Sequence, residues 1–506
     1  ALVLGPVVLT ATRLPRPLRE ASTSISVIDR QEIEDRMIPD TLELLRETPG
    51  INMVQTGARG GQANMFIRGG ENDQALVLID GVKVNLGGGT FSFSDVLAVN
   101  LERIEVLRGP QSALYGADAM TGVVHYISRR GKGPPRLTIR SLAGSQNTFE
   151  ETVEFEFGDD RFGLSFGLGR LDTDNFLPVN HENRNTTVSL RLDGKPSDDF
   201  ELSLTVRRID SRFEIPTESA GDLFDPLDPN QHQEAKRTAV SLEAVVQGKP
   251  WWRHVLHVEV FNKDRSFSDE FDAGIDFGFT ASTTIQQRLR GDYASFITLP
   301  TPKPINATLT LGLAAERERF QQQSRSGSPG SPPSLRTIDE NRHDLGAYGQ
   351  IELSWKSHAF LTLGARYDDH STFGSDVNPR ATGALILPRL RTKLRAAYGT
   401  GIKAPTFVEN FGFGNPNFTG NATLEPEMSK SFEVGFDQPI WNDRLMLSAT
   451  YFQNEFDDLI AFVGGATPPE PNWLNIQAAR SRGVELELKA RLPLGFSARA
   501  AYTFLD

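Results

Sequence analysis

Apolar and polar residues alternate along much of the chain after residue 134. In residues 361–367 the odd-numbered positions carry two leucines, an alanine and a tyrosine, while the even-numbered position 366 carries an arginine. A period of two places these apolar side chains on a single face of a strand. The same alternation recurs in residues 391–398, 445–451 and 496–504. The pattern therefore predicts a long series of amphipathic β-strands.

A tyrosine lies at or near one end of the apolar row in each of these segments. Its amphipathic ring suits the headgroup level of a membrane. The opposite face, with Arg366, Lys393 and Arg395, would line a polar interior. At roughly 20 residues per strand and connection, residues 135–506 predict about 17 or 18 transmembrane strands. A soluble β-sandwich also alternates, but the tyrosines and the lack of helical periodicity favour a membrane barrel.

The connections between the predicted strands are of two kinds. Short turn signals lie at residues 194–199 and 441–444, whereas long polar segments lie at residues 218–233, 321–342 and 411–427. Short turns at one rim and long loops at the other are typical of an antiparallel transmembrane β-barrel.

The first 134 residues have a different character. Residues 25–28 predict a strand, and Asp29 is a helix cap followed by Gln31 or Glu32 in the first turn. A second short helix is predicted to begin at Asp40 and to end at the Pro-Gly pair of residues 49–50. These signals indicate a compact α+β domain that could fill the lumen of the barrel.

Composition excludes several classes of protein. Of 506 residues 38% are hydrophobic, and no run of 18 apolar residues occurs, so a transmembrane helix is excluded. The net charge of −12 is spread along the chain, which argues against a nucleic-acid partner. Cysteine is absent, and the eight histidines lack metal-ligand spacing. No nucleophile motif accompanies His181, His254 or His257, so no enzyme is expected.

The two ends of the chain carry their own expectations. Residues 1–5 lack the basic segment and long apolar stretch of an intact signal peptide, so a mature or trimmed form is expected. The last residues, 501–506, stop just past a predicted strand. Because an open sheet edge is costly in hydrocarbon, either the barrel closes with an odd or smaller number of strands or further strands follow residue 506, and we expect the latter.

Short motifs follow one another in a fixed order along the chain. In the first domain they are Pro-Gly-Ile at 49–51, Phe-Ile-Arg-Gly at 66–69, Leu-Ile-Asp-Gly-Val at 78–82, Val-Leu-Arg-Gly-Pro at 106–110 and Tyr-Gly at 115–116. This order resembles the plug domain of TonB-dependent outer-membrane receptors. Further motifs of the second part are similar to the barrel of that family, at residues 401–406, 415–417, 424–427 and 481–485.

The resemblance implies an architecture and a location. Residues 1–15 would be the Ton box and a linker, residues 16–134 the plug, and residues 135–506 the barrel. Barrels of this family have 22 strands, so about five would be absent here. The expected location is the outer membrane of a Gram-negative bacterium, in contact with membrane lipid and lipopolysaccharide.

The Ton box implied by the resemblance would bind a TonB-type energy-transducing protein. A short extended stretch can add as a strand to the edge of a partner's sheet. The alternative is that these residues are a flexible terminus without a function. The residues concerned are Val7, Val8, Leu9, Thr10 and Ala11.

Arg68 and Arg108 each precede a glycine in an apolar context. A buried guanidinium needs carboxylate partners. The family pattern places such partners at Glu433 and Glu485, and we expect the four side chains to dock the plug and gate its movement. The alternative is that each arginine merely caps a turn.

The implied function is TonB-dependent active uptake of a scarce, large nutrient. The Gly-Gly-Gln of residues 60–62, placed ahead of residues 66–69, is similar to cobalamin receptors. A ferric-siderophore receptor is the alternative, as is a receptor that also signals to a regulator. The latter has an extra domain before the Ton box, and none is visible here. Candidate substrate-binding residues are Arg59, Gln62, Phe91 and Phe93.

Two further features depend on the same resemblance. Asp222, Asp225 and Asp228 lie in one proline-punctuated loop and could ligate calcium, as loop aspartates of cobalamin receptors do, although a solvated acidic loop is the alternative. No other cofactor is expected. His125 lies where family plugs usually have asparagine; it is expected to be a plain strand residue, with a pH-sensitive contact as the alternative.

Overall fold

The computed structural model describes residues 7–38, 40–85, 87, 89–217, 224–225, 227–275, 278–412, 418–465 and 468–506. Asp222 and the motif of residues 415–417 lie outside the described residues, as do parts of the predicted loops 218–233 and 411–427. Among the described residues, no helix is both long and apolar enough to cross a membrane.

The first part of the chain folds into a small α+β domain, here called the plug. Its central sheet has five strands in the order β3-β8-β9-β6-β7, with β6 and β9 parallel. β1 pairs with β2, and β4 pairs with β5. The elements are β1 (Val7–Val8), β2 (Arg16–Pro17), β3 (Ile25–Asp29), α1 (Arg30–Arg36), α2 (Thr41–Arg46), β4 (Ile51–Gln55), β5 (Ala63–Ile67), β6 (Ala75–Ile79), β7 (Val82–Lys83), β8 (Leu101–Arg108), α3 (Ser112–Tyr115) and β9 (Gly122–Ser128).

Local sequence explains the helix starts of the plug. The Asp29 carboxylate accepts a hydrogen bond from the Glu32 backbone N–H at 3.0 Å, and Asp40 accepts from Glu43 at 3.4 Å. Both bonds satisfy first-turn N–H groups that have no partner within the helix. The predicted caps are thus confirmed, with the aspartates rather than Gln31 or Glu32 as acceptors.

In the second part, the described residues form one antiparallel sheet of seventeen strands in sequence order. This number agrees with the predicted 17 or 18. The strands are β10 (Gly133–Gly144), β11 (Thr148–Gly158), β12 (Phe162–Thr173), β13 (Asn183–Ser197), β14 (Phe200–Glu214), β15 (His232–Lys249), β16 (Trp252–Asp269), β17 (Phe279–Leu299), β18 (Ile305–Gly327), β19 (Ser334–Trp355), β20 (Ala359–His370), β21 (Gly374–Ile386), β22 (Lys393–Lys403), β23 (Glu427–Ile440), β24 (Leu445–Phe462), β25 (Trp473–Arg491) and β26 (Ser497–Leu505). Residues 407–411 form α4 (Phe407–Phe411) before β23.

Alternation along the strands places side chains as predicted. Leu363 and Tyr367 of β20 are exposed on the outer face, whereas Arg366 between them is buried. In β22, Lys393 and Arg395 are buried and face the lumen. The polar faces of the strands thus meet the plug.

One predicted loop is wrong. Residues 321–342 were expected to form a polar loop, but β18 continues to Gly327 and β19 begins at Ser334, so most of this segment is a tall hairpin. The two strands pair in register from Ser326 to Ile305. Both faces of the segment are rich in polar residues because it rises beyond its neighbour: β20 pairs with β19 only from Asp344 onward. The polar residues of this segment therefore belong to strands that extend beyond the neighbouring strand, not to an irregular loop.

The hydrophobic core that positions the plug continues into the barrel wall. Strand β6 (Ala-Leu-Val-Leu-Ile) is buried at every position, as expected for a central strand covered on both faces. The core cluster around β6 also includes Ala239 of β15 and Phe261 of β16. The plug is therefore packed against the wall on this side by apolar contacts, and elsewhere by the charged contacts described below.

Candidate functional site: the plug anchor and the N-terminal segment

Arg68 is the centre of a buried ion cluster between plug and wall. It directly follows β5 and has a left-handed backbone, with φ of 50°. Its Nε and Nη2 donate to the two oxygens of Glu485 at 2.7 and 2.9 Å, and Nη1 donates to Glu433 at 2.6 Å. The guanidinium also lies 4.6 Å from the centre of the Phe452 ring. Fork-shaped pairing of this kind compensates for the loss of water around a buried charge.

The backbone next to Arg68 is fixed from the wall as well. The Arg68 carbonyl accepts hydrogen bonds from Asn454 Nδ2 at 3.1 Å and from Ser481 Oγ at 2.6 Å. Asn454 and Ser481 belong to β24 and β25. The turn at Arg68 therefore contacts three wall strands at once, because Glu433 lies on β23 and Glu485 on β25. We call Arg68, Glu433 and Glu485 the anchor.

Arg108 lies beside the anchor but is held mainly by the plug itself. Its Nη1 donates to Ser26 Oγ at 3.0 Å and to the Pro49 carbonyl at 2.8 Å. Its Nε is 3.4 Å from Glu485, without a hydrogen bond. Burial, only partly offset by Glu485, lowers the pKa of Arg108. The four residues predicted to cluster are therefore together, with unequal roles.

Two members of the cluster were missed by the sequence reasoning. The Ser24 backbone N–H donates to Glu433 at 2.7 Å, and Ser24 Oγ accepts from Arg68 and from Arg395. Arg395 lies 3.5 Å from Glu433. The alternation of β22 had placed Arg395 in the lumen, and a contact with the plug could have been predicted from that position. Nothing in the local sequence of Ser24 indicates its role.

The segment Val7–Ala11 is folded against the plug. Its Val8, Thr10 and Ala11 side chains are buried, with Thr10 completely covered. β1 pairs antiparallel with β2 of the same chain, Val7 opposite Pro17 and Val8 opposite Arg16. Only Val7 and Val8 of the segment are therefore in a strand, paired along one edge, and a turn follows at residues 10–12.

Glu105 holds the backbone of this segment. The N–H groups of Leu9 and Thr10 donate to its Oε2 at 3.0 and 2.9 Å, and Thr10 Oγ1 donates to the same oxygen at 2.6 Å. Burial alone would raise the pKa of Glu105, but the Arg103 guanidinium and the Thr10 donors lower it. The carboxylate is therefore ionised, and its bonds to the segment are charge-assisted.

His125 of β9 completes this contact. Its Nε2 accepts a hydrogen bond from the Gly81 backbone N–H at 3.0 Å, which requires Nδ1 to carry the proton and to donate to Thr10 Oγ1 at 3.0 Å. Burial lowers the pKa of His125 to about 4, an effect that the Glu105 carboxylate partly offsets. The imidazole is neutral at pH 7, and protonating it would break the bond to Gly81. We call Glu105, His125 and Thr10 the latch.

Further contacts tie the residues after Leu9 to the wall. Arg13 donates to Asp292 of β17 at 2.6 Å and to the Tyr348 hydroxyl of β19 at 2.7 Å. Arg380 of β21 donates to the Ala11 carbonyl at 3.0 Å. A cavity of about 80 Å³ borders the other side of the segment, lined in part by Val8, Ala11 and Thr12. The sequence reasoning predicted none of these wall contacts.

Comparison with known proteins identifies the family of the plug and the wall. The model of the TonB-dependent receptor-like β-barrel matches residues 137–506, and the model of the TonB-dependent receptor plug domain matches residues 17–123. The chain belongs to the TonB-dependent receptors. The resemblance noted in the motifs is confirmed, and the rim with the long loops is accordingly called the outer rim.

Curated relatives and solved structures agree on this family. The chain is 27% identical over 509 residues to the vitamin B12 transporter BtuB of Vibrio vulnificus strain CMCP6, covering 95% of this chain and 74% of the relative. The BtuB of Photobacterium profundum is 26% identical over 495 residues, with 95% and 75% covered. The siderophore receptor PirA of Acinetobacter baumannii has a TM-score of 0.76 at 20% identity, with 96% and 80% covered. The ferripyoverdine receptor of Pseudomonas aeruginosa has a TM-score of 0.79 at 17% identity, with 99% and 72% covered.

The predicted substrate contacts of this receptor divide into two groups. Gln62 is exposed and donates to Asn64 and Thr90, and Arg59 is half-buried, 3.6 Å from Asp40. Both side chains lie in the apical turn after β4.

Phe91 and Phe93 require a correction. They are 5% and 1% exposed and pack edge to face, 5.0 Å apart, within the core cluster of the plug. They lie inside because the short 3-10 turn at residues 93–95 packs against α2 and β5. In this structure their rings stabilise the plug and offer no surface to a ligand.

The proposed calcium loop is only partly described. Asp222 lies outside the described residues. Asp228 is buried, and its Oδ1 accepts from the backbone N–H groups of Asn230 and Gln231 at 2.9 and 2.6 Å, so this oxygen closes the loop. In the described part of the chain, no three His, Cys, Asp or Glu side chains are grouped so that they could hold a metal ion. Calcium binding stays a prediction.

Proposed function

We propose that this receptor imports cobalamin across the outer membrane of a Gram-negative bacterium, with energy from a TonB-type protein. The observation that carries the substrate is the 27% identity to vitamin B12 transporters over 95% of the chain. The likeness to siderophore receptors lies at 16–21% identity and bears on the fold alone. A ferric siderophore is therefore an outcome of the test rather than the favoured substrate.

The proposed handle for the energy-transducing protein is Val7–Ala11. A partner that adds a strand to this segment needs its backbone N–H groups, and those of Leu9 and Thr10 are occupied by Glu105. Binding therefore requires the latch to open or β2 to leave its pairing with β1. This arrangement supports a handle that is stored until a signal releases it.

The proposed role of the anchor is to keep the plug in place when the handle is pulled. Removing one partner of a buried ion pair costs about 3–5 kcal/mol because it leaves an uncompensated charge. Arg68 has two such partners on different strands. A force applied at the N-terminus must therefore either deform the plug around the anchor or break the whole cluster.

Ligand binding to the purified receptor tests the substrate. We expect cyanocobalamin to bind in preference to a panel of ferric siderophores. We also propose that calcium binds the loop of Asp222, Asp225 and Asp228, in which case added calcium should strengthen binding. Uptake by cells expressing the receptor, with and without their TonB-type protein, tests energy coupling. Binding of a ferric chelate without cobalamin binding would overturn the substrate, while uptake without the energy-transducing protein would overturn the mechanism.

A further inference from the structure

The lumenal face of β16 carries two cations just above the plug. Phe261 of this strand packs into the plug core. Lys263 and Arg265 follow on the same face, two and four residues closer to the outer rim. They therefore lie where a ligand that entered from outside would first meet the wall next to the plug.

The lumenal cations nearer the plug already have partners. Arg290 lies 2.6 Å from Asp292 and 3.1 Å from Glu259. Arg207 instead donates to a plug carbonyl, that of Val99, at 2.7 Å. Carboxylates likewise neutralise Arg288, Arg342, Arg366 and Lys403. These ion pairs lie within and between strands of the wall, whereas the Arg207 bond joins the wall to the plug.

Lys263 differs from these residues. Within the described ranges it has neither a hydrogen-bond partner nor a carboxylate in ion-pair distance. The residue directly opposite on β15 is another cation, Arg237, and Arg237 is 2.7 Å from Asp95 of the plug. The carboxylate of Asp95 is thus committed to Arg237. The amine of Lys263 is thus left without a fixed counter-ion among the described residues.

On the β17 side, the neighbours of Lys263 and Arg265 are polar and uncharged. On β17, Gln286 lies opposite Lys263 and Thr284 lies opposite Arg265. Arg265 donates to Gln233 Oε1 at 2.9 Å, which positions its guanidinium without neutralising it. Amide and hydroxyl groups beside a cation can orient an anion by hydrogen bonds, while the cation supplies the attraction.

We propose that Lys263 and Arg265 form a subsite for an anionic oxygen group of the transported nutrient. Lysine supplies a mobile point charge and arginine a planar fork, a combination suited to a phosphodiester or to the anionic oxygens of a ferric chelate. The proposal rests on the proposed uptake function. If cobalamin is the substrate, the group recognised is the phosphodiester of its nucleotide loop.

Equilibrium binding of two corrinoids tests the subsite. Cyanocobalamin contains the phosphodiester, whereas dicyanocobinamide lacks the nucleotide loop. Lys263→Gln and Arg265→Gln are each expected to weaken cyanocobalamin binding by about tenfold, as for loss of one charged hydrogen bond, and to leave cobinamide binding unchanged. Lys263→Arg should retain most of the affinity. Raising the salt concentration should weaken binding to the unaltered receptor more than to the double variant.

A matched control exists on the neighbouring strand. Lys236 of β15 is adjacent to Arg237 and therefore faces away from the lumen, where it is exposed. Lys236→Gln removes the same charge at the same height, and cyanocobalamin binding should not change. Equal losses with Lys236→Gln and Lys263→Gln, or equal losses of cyanocobalamin and cobinamide binding, would overturn the subsite.

A second pair of probes separates failure of the subsite from failure of the substrate. For a receptor that does not bind cobalamin, we compare the binding of two iron chelates. Ferric enterobactin is anionic, and ferrichrome is uncharged. The Lys263→Gln/Arg265→Gln variant should then lose the preference for the anionic chelate. An unchanged preference, or a receptor that binds neither cyanocobalamin nor the anionic chelate, would overturn the assignment.

Discussion

Arg68 and Glu485 are joined by two parallel hydrogen bonds, Nε to Oε1 at 2.7 Å and Nη2 to Oε2 at 2.9 Å. One residue belongs to the plug and the other to β25 of the wall. Both side chains are buried, so neither can exchange its partner for water. This pair fixes the turn at residue 68 to the wall in distance and in orientation.

Glu485→Gln should therefore weaken docking of the plug by about 3–5 kcal/mol, because Arg68 keeps a single carboxylate in a buried site. Arg68→Ala should have an effect in the same direction and should reduce uptake. Denaturant-induced release of the plug, followed by limited proteolysis, measures the change. Asp339→Asn is the control, since its pair with Arg319 is exposed and should matter little. Unchanged docking and uptake in Arg68→Ala would refute the role of the anchor.

Glu105→Gln should loosen the N-terminal segment. The substitution removes the charge that holds the N–H groups of Leu9 and Thr10. The chain has no cysteine, so Val8→Cys provides a single reporter thiol at a position that is 1% exposed. We expect maleimide to label this thiol at least several-fold faster when Glu105→Gln is added. The reason is that hydrogen bonds to a charged group contribute about 1.5–3 kcal/mol to the stability of the closed segment.

The control for this experiment is Glu102→Gln, on the same strand but without a hydrogen bond to the segment among the described residues. Equal labelling rates in Glu105→Gln and Glu102→Gln would mean that the carboxylate of residue 105 does not hold the segment.

Acid should open the latch through His125. The pKa of His125 is about 4 in the closed state because the ring is buried. In a released, hydrated state it should return to its ordinary value of about 6.5. The released state therefore binds a proton first as the pH falls below 6.5, and the closed state loses about 2 kcal/mol of relative stability by pH 5. Labelling of the Val8→Cys thiol, corrected for thiolate content, should rise between pH 7 and pH 5.

His125→Asn should abolish this dependence on pH. Asp80, Arg103 and His257 also act on the imidazole electrostatically, and His257 is the second histidine among them. The measurement is therefore repeated with His257→Asn, which should leave the pH dependence in place. If the pH dependence disappeared with His257→Asn and persisted with His125→Asn, His257 rather than His125 would be responsible, and the role of His125 would be refuted.

Gly50→Ala should displace the anchor. A Cβ at residue 50 would overlap Glu485 Oε1, and the φ of residue 50 is +73°. Gly57 has the same φ, but a Cβ there would meet nothing within 4 Å. Gly57→Ala therefore reports backbone strain alone, and Gly50→Ala reports strain plus the clash. The plug should be released more easily in Gly50→Ala than in Gly57→Ala. Equal effects of the two substitutions would show that the Glu485 side chain can move aside without weakening the docking of the plug.

The sequence predicts the strands of this protein better than its contacts. Alternation places Arg366 and Arg395 in the lumen because the period of a strand is a local property. Motif order places Arg68 with Glu433 and Glu485. The roles of Glu105 and Ser24 could not be predicted, since their partners are decided by how the plug sits against the wall.

The errors have the same physical origin. Phe91 and Phe93 were assigned to a ligand surface because they lie in an apical segment of the plug and offer aromatic chemistry to a bulky ligand. Burial of the two rings outweighs the tendency of such segments to be exposed. The polar residues 321–342 form a hairpin because strand pairing with a neighbour, rather than polarity, decides where a strand ends.

The anchor also bears on the order of folding. Arg68 is separated from Glu433 by 365 residues and from Glu485 by 417 residues along the chain. The plug is synthesised early, yet its charged side chain has no carboxylates to meet until β23 and β25 are in place. Contacts of such sequence separation form slowly. Closing of the wall around β25 and seating of the plug should therefore be a single late event, during which the unfinished receptor depends on other proteins for protection from aggregation.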